Sequence, residues 1–306
     1  MLKEISKLID EHVFTQLAKR RITVFLVGAG RESPNSLRQA IYKELTSRVF
    51  YRAWFDVYYP EEIFEELIRG RGHFDLLSLE NLLAKSVHSV VIILESPGAI
   101  AELGAFSNQK GLCDRLVVVV DEKYRKAKTF IMLGPVRYLN KKTKSIVIFH
   151  NLRNPLLEEL GTQIREAVRR ISRGVQIETS VANPIAAQHF ILSAIYLMEP
   201  VGREILNEMV QAVRRKTPSK ATTIIVTSSL NILLRQREVI LRDGKYRLTH
   251  EGLERLRLAM KSEPQGRSIE HLLDEVRVKI LNRTLRGQRK LLETKERAIQ
   301  TQTSSG

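Results

Sequence analysis

The stretch on which the fold turns is Val90-Val-Ile-Ile-Leu94 followed by Glu95-Ser-Pro-Gly-Ala-Ile-Ala-Glu-Leu-Gly-Ala-Phe-Ser-Asn108. The apolar run predicts a strand buried on both faces. Pro97-Gly98 breaks that strand and opens a helix, because proline suits the first helical turn. Glu102 then lies about one turn inside the helix, near the carboxyl end of a sheet strand. Ligands collect at that edge in open α/β sheets. The small residues Ala101, Gly104 and Ala105 predict close packing of the helix on the sheet, with Glu102 left beside a cleft. The competing reading is a Glu that only matches the positive end of a helix, worth about 0.3–1 kcal/mol.

Outward from this stretch, strands and helices alternate. Further strands are expected at Ile22–Val27, Phe55–Tyr59, Arg115–Asp121 and Ser145–Phe149. Helices are expected over 2–20, from Ser33-Pro34 to Val49, over 61–68, from Ser78 through Leu83, over 126–133 and over 154–173. This alternation implies a parallel sheet covered by helices on both faces. After Gly174 the pattern changes to helices over 185–198, 201–215 and 218–236, then alternating runs joined by Asp243-Gly244, a strong hairpin signal. Leu248-Thr-His-Glu-Gly252 restarts a helix. The expected division is an α/β domain at 1–174, a mostly helical domain at 175–262 and a charged helical tail at 263–306.

A chain of 306 residues with 43% apolar content has room for two cores. Its net charge of +16 favours polyanionic partners such as nucleic acid. One cysteine, Cys113, excludes an intrachain disulfide. Charged residues in the first turns exclude a signal-peptide core, and no apolar run is long enough to span a bilayer, so a soluble cytoplasmic protein is expected. The seven histidines show no ligand spacing, so no metal and no bound cofactor are expected.

Retaining cleavage of an N-glycosidic bond needs one carboxylate beneath the anomeric carbon, and Glu102 is the candidate. Asp75 and Glu80 are candidates for a second acid. Gly28, Gly30, Ser33 and Ser36, with Arg31 and Arg38, form a candidate phosphate-binding turn after the first strand, because amides at a helix N-terminus attract anions. An ordinary strand-to-helix turn is the alternative there. Ser96 and Gly98 flank the expected cleft, and Asn81 and Asn108 are candidate partners for ribose hydroxyls. In the second domain Arg214, Arg215, Lys216 and Lys220 lie before or at the start of one helix. Arg235, Arg237, Arg242, Lys245 and Arg247 surround the hairpin, a spacing suited to backbone phosphates. Tyr246 is placed either to stack on a base or to pack inward.

The apolar strand, Ala101-Glu-Leu-Gly-Ala-Phe-Ser-Asn108 and Phe25-Leu-Val-Gly-Ala-Gly30 resemble the nucleoside 2-deoxyribosyltransferase-like superfamily. With Leu76-Leu-Ser-Leu-Glu-Asn-Leu-Leu83, Glu95-Ser-Pro-Gly98 and Gly134-Pro-Val-Arg137, the chain is similar to the toxin effectors encoded beside bacterial retrons. That resemblance implies a deoxyribosyltransferase-like domain of Rossmann or flavodoxin-like fold, then a winged helix-turn-helix domain. It implies antiphage defence, with the toxin held by a reverse transcriptase and its RNA–DNA hybrid. The chain departs from the transferases at two positions: Leu26 replaces a Tyr, and Ser96-Pro97 stands where they carry an Asp. These departures, with Arg31 and Arg38, favour hydrolysis of NAD as substrate. Nucleoside base exchange remains one alternative, and a nucleotide-sensing winged-helix transcription regulator the other.

Overall fold

The computed structural model describes residues 2–30, 36–47, 54–61, 63, 86–177, 179–214, 219–260, 274–282 and 285–286. Helix α1 (Leu2–Ile9), a π-helical turn (Asp10–Phe14) and α2 (Thr15–Arg20) lead into β1 (Ile22–Val27). Next come α3 (Leu37–Ser47), β2 (Phe55–Tyr58), β3 (Ser89–Ile93), α4 (Pro97–Ser107) and β4 (Leu116–Asp121). A second π-helical turn (Met132–Val136) runs into α5 (Arg137–Lys142), followed by β5 (Ile146–His150) and α6 (Leu157–Ser172). The strands form a parallel sheet of order β2-β1-β3-β4-β5.

Strand periodicity divides this sheet's two faces. Val24, Leu26, Val91, Ile93, Val117 and Val119 pack against α3 and α6. Their neighbours Phe25, Val27, Val90, Ile92, Val118 and Val120 pack against Ala99, Leu103 and Phe106 of α4 and against Val136 and Leu139. Side chains that alternate across the pleat bury both faces under helices, which is why these strands are apolar throughout.

Beyond the sheet lie α7 (Pro184–Met198), β6 (Val201–Gly202), α8 (Arg203–Val213), α9 (Ser219–Arg235), β7 (Val239–Arg242), β8 (Lys245–Leu248) and α10 (His250–Met260). The three short strands form an antiparallel sheet of order β6-β8-β7. At the β7–β8 turn both Asp243 and Gly244 have positive φ, the geometry that suits a two-residue hairpin. In α10, Gly252 lies against the Glu238 carbonyl: a Cβ there would stand 2.0 Å from that oxygen, so the motif's glycine allows the helix to close on the chain before β7.

Several expectations need correction. Residues 2–20 are helical, but Ile5, Ile9, Val13, Phe14 and Leu17 pack in the second core with Phe190, Ile191, Leu206 and Met209. The Phe14 and Phe190 rings meet edge to face at 6.0 Å. The N-terminal helix thus packs outside the 1–174 grouping, because its apolar stripe matches a helical partner. Ala101, Gly104 and Ala105 are exposed, while Ala99, Leu103 and Phe106 face the sheet; the small residues lie on the outer side of α4. Residues 127–129 are not helical, and the helix expected at 126–133 instead runs over 130–142. Tyr246 is buried and packs inward. The helix expected at Ser78–Leu83 and most of that at 61–68 lie outside the described residues.

Candidate active site at the strand switch point

In the order 2-1-3-4-5 the connections reverse direction between β1 and β3, and a crevice opens at the carboxyl ends of those two strands. Gly28, Ala29 and Gly30 leave β1 there, and Leu94, Glu95 and Ser96 leave β3. Ser96 caps α4: its hydroxyl accepts from Ala99 N at 3.2 Å and donates to the Gly28 carbonyl at 3.3 Å. Pro97 follows at the first helical position. The β3–α4 turn and the glycine turn are tied together by one side chain.

The anion-binding amides of this turn are already occupied. The Glu95 carboxylate accepts from Ala29 N, Leu37 N and Arg38 N, each at 3.1 Å. A negative group is held at the N-terminus of α3 as a phosphate would be, but it belongs to the protein. Gly28 has to be glycine for this arrangement, since a Cβ would sit 2.8 Å from Glu95 Oε1 and 3.0 Å from Arg38 Cβ. Arg38 is also engaged. Its guanidinium donates to the carbonyls of Leu26 (2.9 Å) and Ala29 (3.2 Å) and bidentately to Glu61 at 2.6 and 2.7 Å. It lies 4.4 Å from the Tyr59 ring centre. Arg38 is therefore a buried structural cation and not an open phosphate ligand. The sequence reading named Arg38 but missed Glu95 and Glu61.

Glu102 differs from these groups. It is half-buried on α4, and among the described residues its carboxylate has no hydrogen-bond or ion-pair partner. Burial raises its pKa, repulsion from Glu61 adds to this, and Arg38 opposes it. A carboxylate of this kind is nucleophilic and gains from a cation developing nearby. Ser36 immediately precedes α3, and its hydroxyl accepts from Gln39 N at 3.3 Å. Gly98 has ordinary room and Gly30 open space. Asn108 is the exposed C-terminal cap of α4, about 18 Å from Ser96 by helical rise, at the end of the helix away from the β3–α4 turn. Arg31, Ser33, Asp75, Glu80 and Asn81 lie outside the described residues.

The sequence reading also missed a buried polar cluster behind this site. Asp56 on β2 receives Arg21 Nε and Nη2 at 2.7 and 2.6 Å, His189 Nε2 at 3.0 Å and Arg255 Nη2 at 3.1 Å. Arg255 also donates to Glu238 and to Tyr58 Oη. Burial alone would raise the Asp56 pKa; Arg21, then Arg255 and His189, overcome it and hold the carboxyl well below its usual range. One carboxylate thus joins the edge strand of the large sheet to α7 and α10. The only sequence signal was a charged residue inside an apolar strand.

In the second unit Arg235, Arg237, Arg242, Lys245 and Arg247 are exposed. Arg242 and Lys245 face each other across the hairpin. Arg214 lies at the C-terminal end of α8. Arg215 and Lys216 lie outside the described residues; Lys220 falls in the first turn of α9. Among the described residues no group of three or more His, Cys, Asp or Glu is placed to hold a metal ion, and no helix is long and apolar enough to cross a membrane.

Residues 34–240 match the STM3845 retron effector protein family. The chain belongs to that family. This retron effector is 29% identical over 283 residues to the Escherichia coli protein named "Retron Ec86 putative ribosyltransferase/DNA-binding protein", covering 88% of this chain and 87% of that one. It is 30% identical over 124 residues to the E. coli "Retron Ec73 putative ribosyltransferase/DNA-binding protein", covering 40% and 39% of the two chains.

Proposed function

We propose that this retron effector is an antiphage-defence toxin that cleaves the N-glycosidic bond of NAD, with Glu102 as the carboxylate beneath the anomeric carbon. The observation that carries this reading is the unpartnered, half-buried Glu102 carboxylate of raised pKa at the switch-point crevice. The bond to nicotinamide breaks with its electron pair going to the ring nitrogen, so the base leaves neutral and needs no general acid. Glu102 stabilises the oxocarbenium-like sugar or captures it at C1′. Water then adds through oxygen and loses a proton, giving ADP-ribose, nicotinamide and a proton. The relatives' names support chemistry at a ribosyl carbon.

The hairpin cations support a winged-helix contact with nucleic acid. Arg242 and Lys245 are set opposite each other, where like charges repel unless an anion lies between them. In this reading the nucleic acid is the RNA–DNA hybrid of a retron reverse transcriptase, which holds the toxin inactive. Base exchange between nucleosides is the second reading. It gains from the engagement of Arg38 with Glu61, which removes one cation otherwise available to a dinucleotide.

Purified protein freed of any inhibitor is expected to release nicotinamide from NAD, and Glu102→Gln to lose that release while remaining folded. Activity should fall on the acid side, at a higher pH than an unperturbed glutamate would give, because the ionised form acts and burial, then Glu61, raises its pKa. A folded Gln variant of full activity would refute the role of Glu102. Base exchange on deoxynucleosides with NAD untouched would establish the second reading.

A further inference from the structure

Residues 123–157 contain nine Lys and Arg and no Asp or Glu, a large share of the chain's net charge of +16. Acids just before this run neutralise only its beginning: Lys123 pairs with Asp121 and Arg125 with Glu122. Lys126, Lys128, Arg137, Lys141 and Lys142 are exposed and have no ion-pair partner among the described residues. The helical segment over 130–142 lies across them. Its inner side is anchored by Val136 and Leu139, both buried. On its outer side Phe130 is 87% exposed, Leu133 51% and Tyr138 47%. A phenyl ring left in water forgoes roughly 2 kcal/mol of burial and contributes nothing to this fold.

Unpaired cations interleaved with exposed rings fit one partner chemistry best. Phosphates neutralise the cations, and unpaired bases cover the rings. Phe130 and Tyr138 are about 12 Å apart by helical rise, too far to stack on each other, so each offers its own platform. A duplex presents no free base faces to such rings. A membrane-surface helix would turn its apolar face outward, but here Val136 and Leu139 are committed to the protein. Beside this face a cleft of about 430 Å³ opens at the carboxyl end of β4, lined by Pro97, Ile100, Tyr124, Ile131 and Met132 among others, with room for an unstacked base. Leu94, Glu95 and Ser96 also line this cleft, so it adjoins the switch-point crevice; Ile100 lines it, while Glu102, two residues further along α4 and turned to another side of the helix, does not.

We propose that the face formed by residues 124–142 binds single-stranded nucleic acid, with bases stacked on Phe130 and Tyr138 and phosphates on Arg137, Lys141 and Lys142. The proposal is independent of the chemistry at Glu102 and of the hairpin. Full-length protein stripped of nucleic acid is titrated by fluorescence anisotropy with a labelled 15-nucleotide oligo(dT), with a duplex of equal length, and by sedimentation with phosphatidylserine vesicles. Phe130→Ala and Tyr138→Ala should each weaken oligo(dT) binding at least about 5-fold and leave duplex binding unchanged. Lys141→Glu/Lys142→Glu should lower the salt slope for oligo(dT) by about 1.4. These side chains are exposed, so circular dichroism and thermal melts should match the parent chain. Oligo(dT) binding unchanged by the ring substitutions would overturn the proposal. So would vesicle binding without oligo(dT) binding, or a loss seen only for Arg242→Glu/Lys245→Glu.

Discussion

Replacing Asp56 by Asn tests whether the buried cluster holds the two cores together. The substitution keeps shape and volume, so no cavity forms and the effect is electrostatic. Asp56 now accepts four donor contacts: two from Arg21, one from His189 and one from Arg255. Asn offers one acceptor oxygen and turns an NH₂ group toward the remaining donors. At least one buried guanidinium N–H then loses its acceptor, at about 1–3 kcal/mol. Arg255 keeps Glu238, but the Arg21 fork loses its carboxylate. Removing one partner of a buried ion pair costs about 3–5 kcal/mol, a large share of the roughly 5–15 kcal/mol that stabilises a typical protein. Urea unfolding, followed by circular dichroism at constant m-value, measures the loss. Arg255→Met in the same chain removes one cation left behind, so the double variant should be more stable than the sum of the single losses predicts, by about 1–3 kcal/mol. Acid unfolding gives a second measure. The Asp56 pKa is depressed in the folded state, so its contribution is present above about pH 4 and is lost as pH falls through the folded value. The Asn variant should lack that acid-side loss. A folded variant weakened by less than about 1 kcal/mol, or strict additivity in the cycle, would refute this account of the cluster.

Three further outcomes are expected. His88 accepts Thr23 N–H on Nδ1, and burial, then Arg115, lowers its pKa to about 4, so it stays neutral in the fold while the unfolded chain protonates near 6.5. Its contribution is complete above about pH 6.5 and shrinks by about 3 kcal/mol on descending to pH 4; the difference in urea midpoint between parent and His88→Gln across this range measures it. Gly252→Ala places a Cβ 2.0 Å from the Glu238 carbonyl and 2.9 Å from Leu248 Cδ2, so a melt should show a loss at or above the top of the usual overpacking range of about 1–3 kcal/mol. Arg242→Glu/Lys245→Glu should reduce co-purifying nucleic acid and, with the reverse transcriptase present, increase growth inhibition; unchanged co-purification would make the hairpin a protein contact or a solvated edge.

The parallel sheet, the break after β3 and the Asp243-Gly244 hairpin were legible in the chain because each depends on near neighbours. Apolar runs set burial, Pro and Gly set the turns, and a period of two separates the faces of a strand. The position of Glu102, on the helix that follows a buried strand, was legible for the same reason; its role is a proposal. What the tertiary structure alone decided is which charges meet. Asp56 pairs with Arg21, 35 residues before it, and with Arg255, 199 residues after it. Glu95 reaches back 66 residues to fill the amides that looked ready for a phosphate. Arg38 carried the pattern of a ligand and became a structural cation once Glu61 came within 2.6 Å. The N-terminal helix showed its apolar stripe in sequence, but only packing determined that the stripe is buried against α7 and α8. Local periodicity fixes an element and the face it must bury; the partner of a buried charge depends on which elements become neighbours, and a linear pattern does not record that.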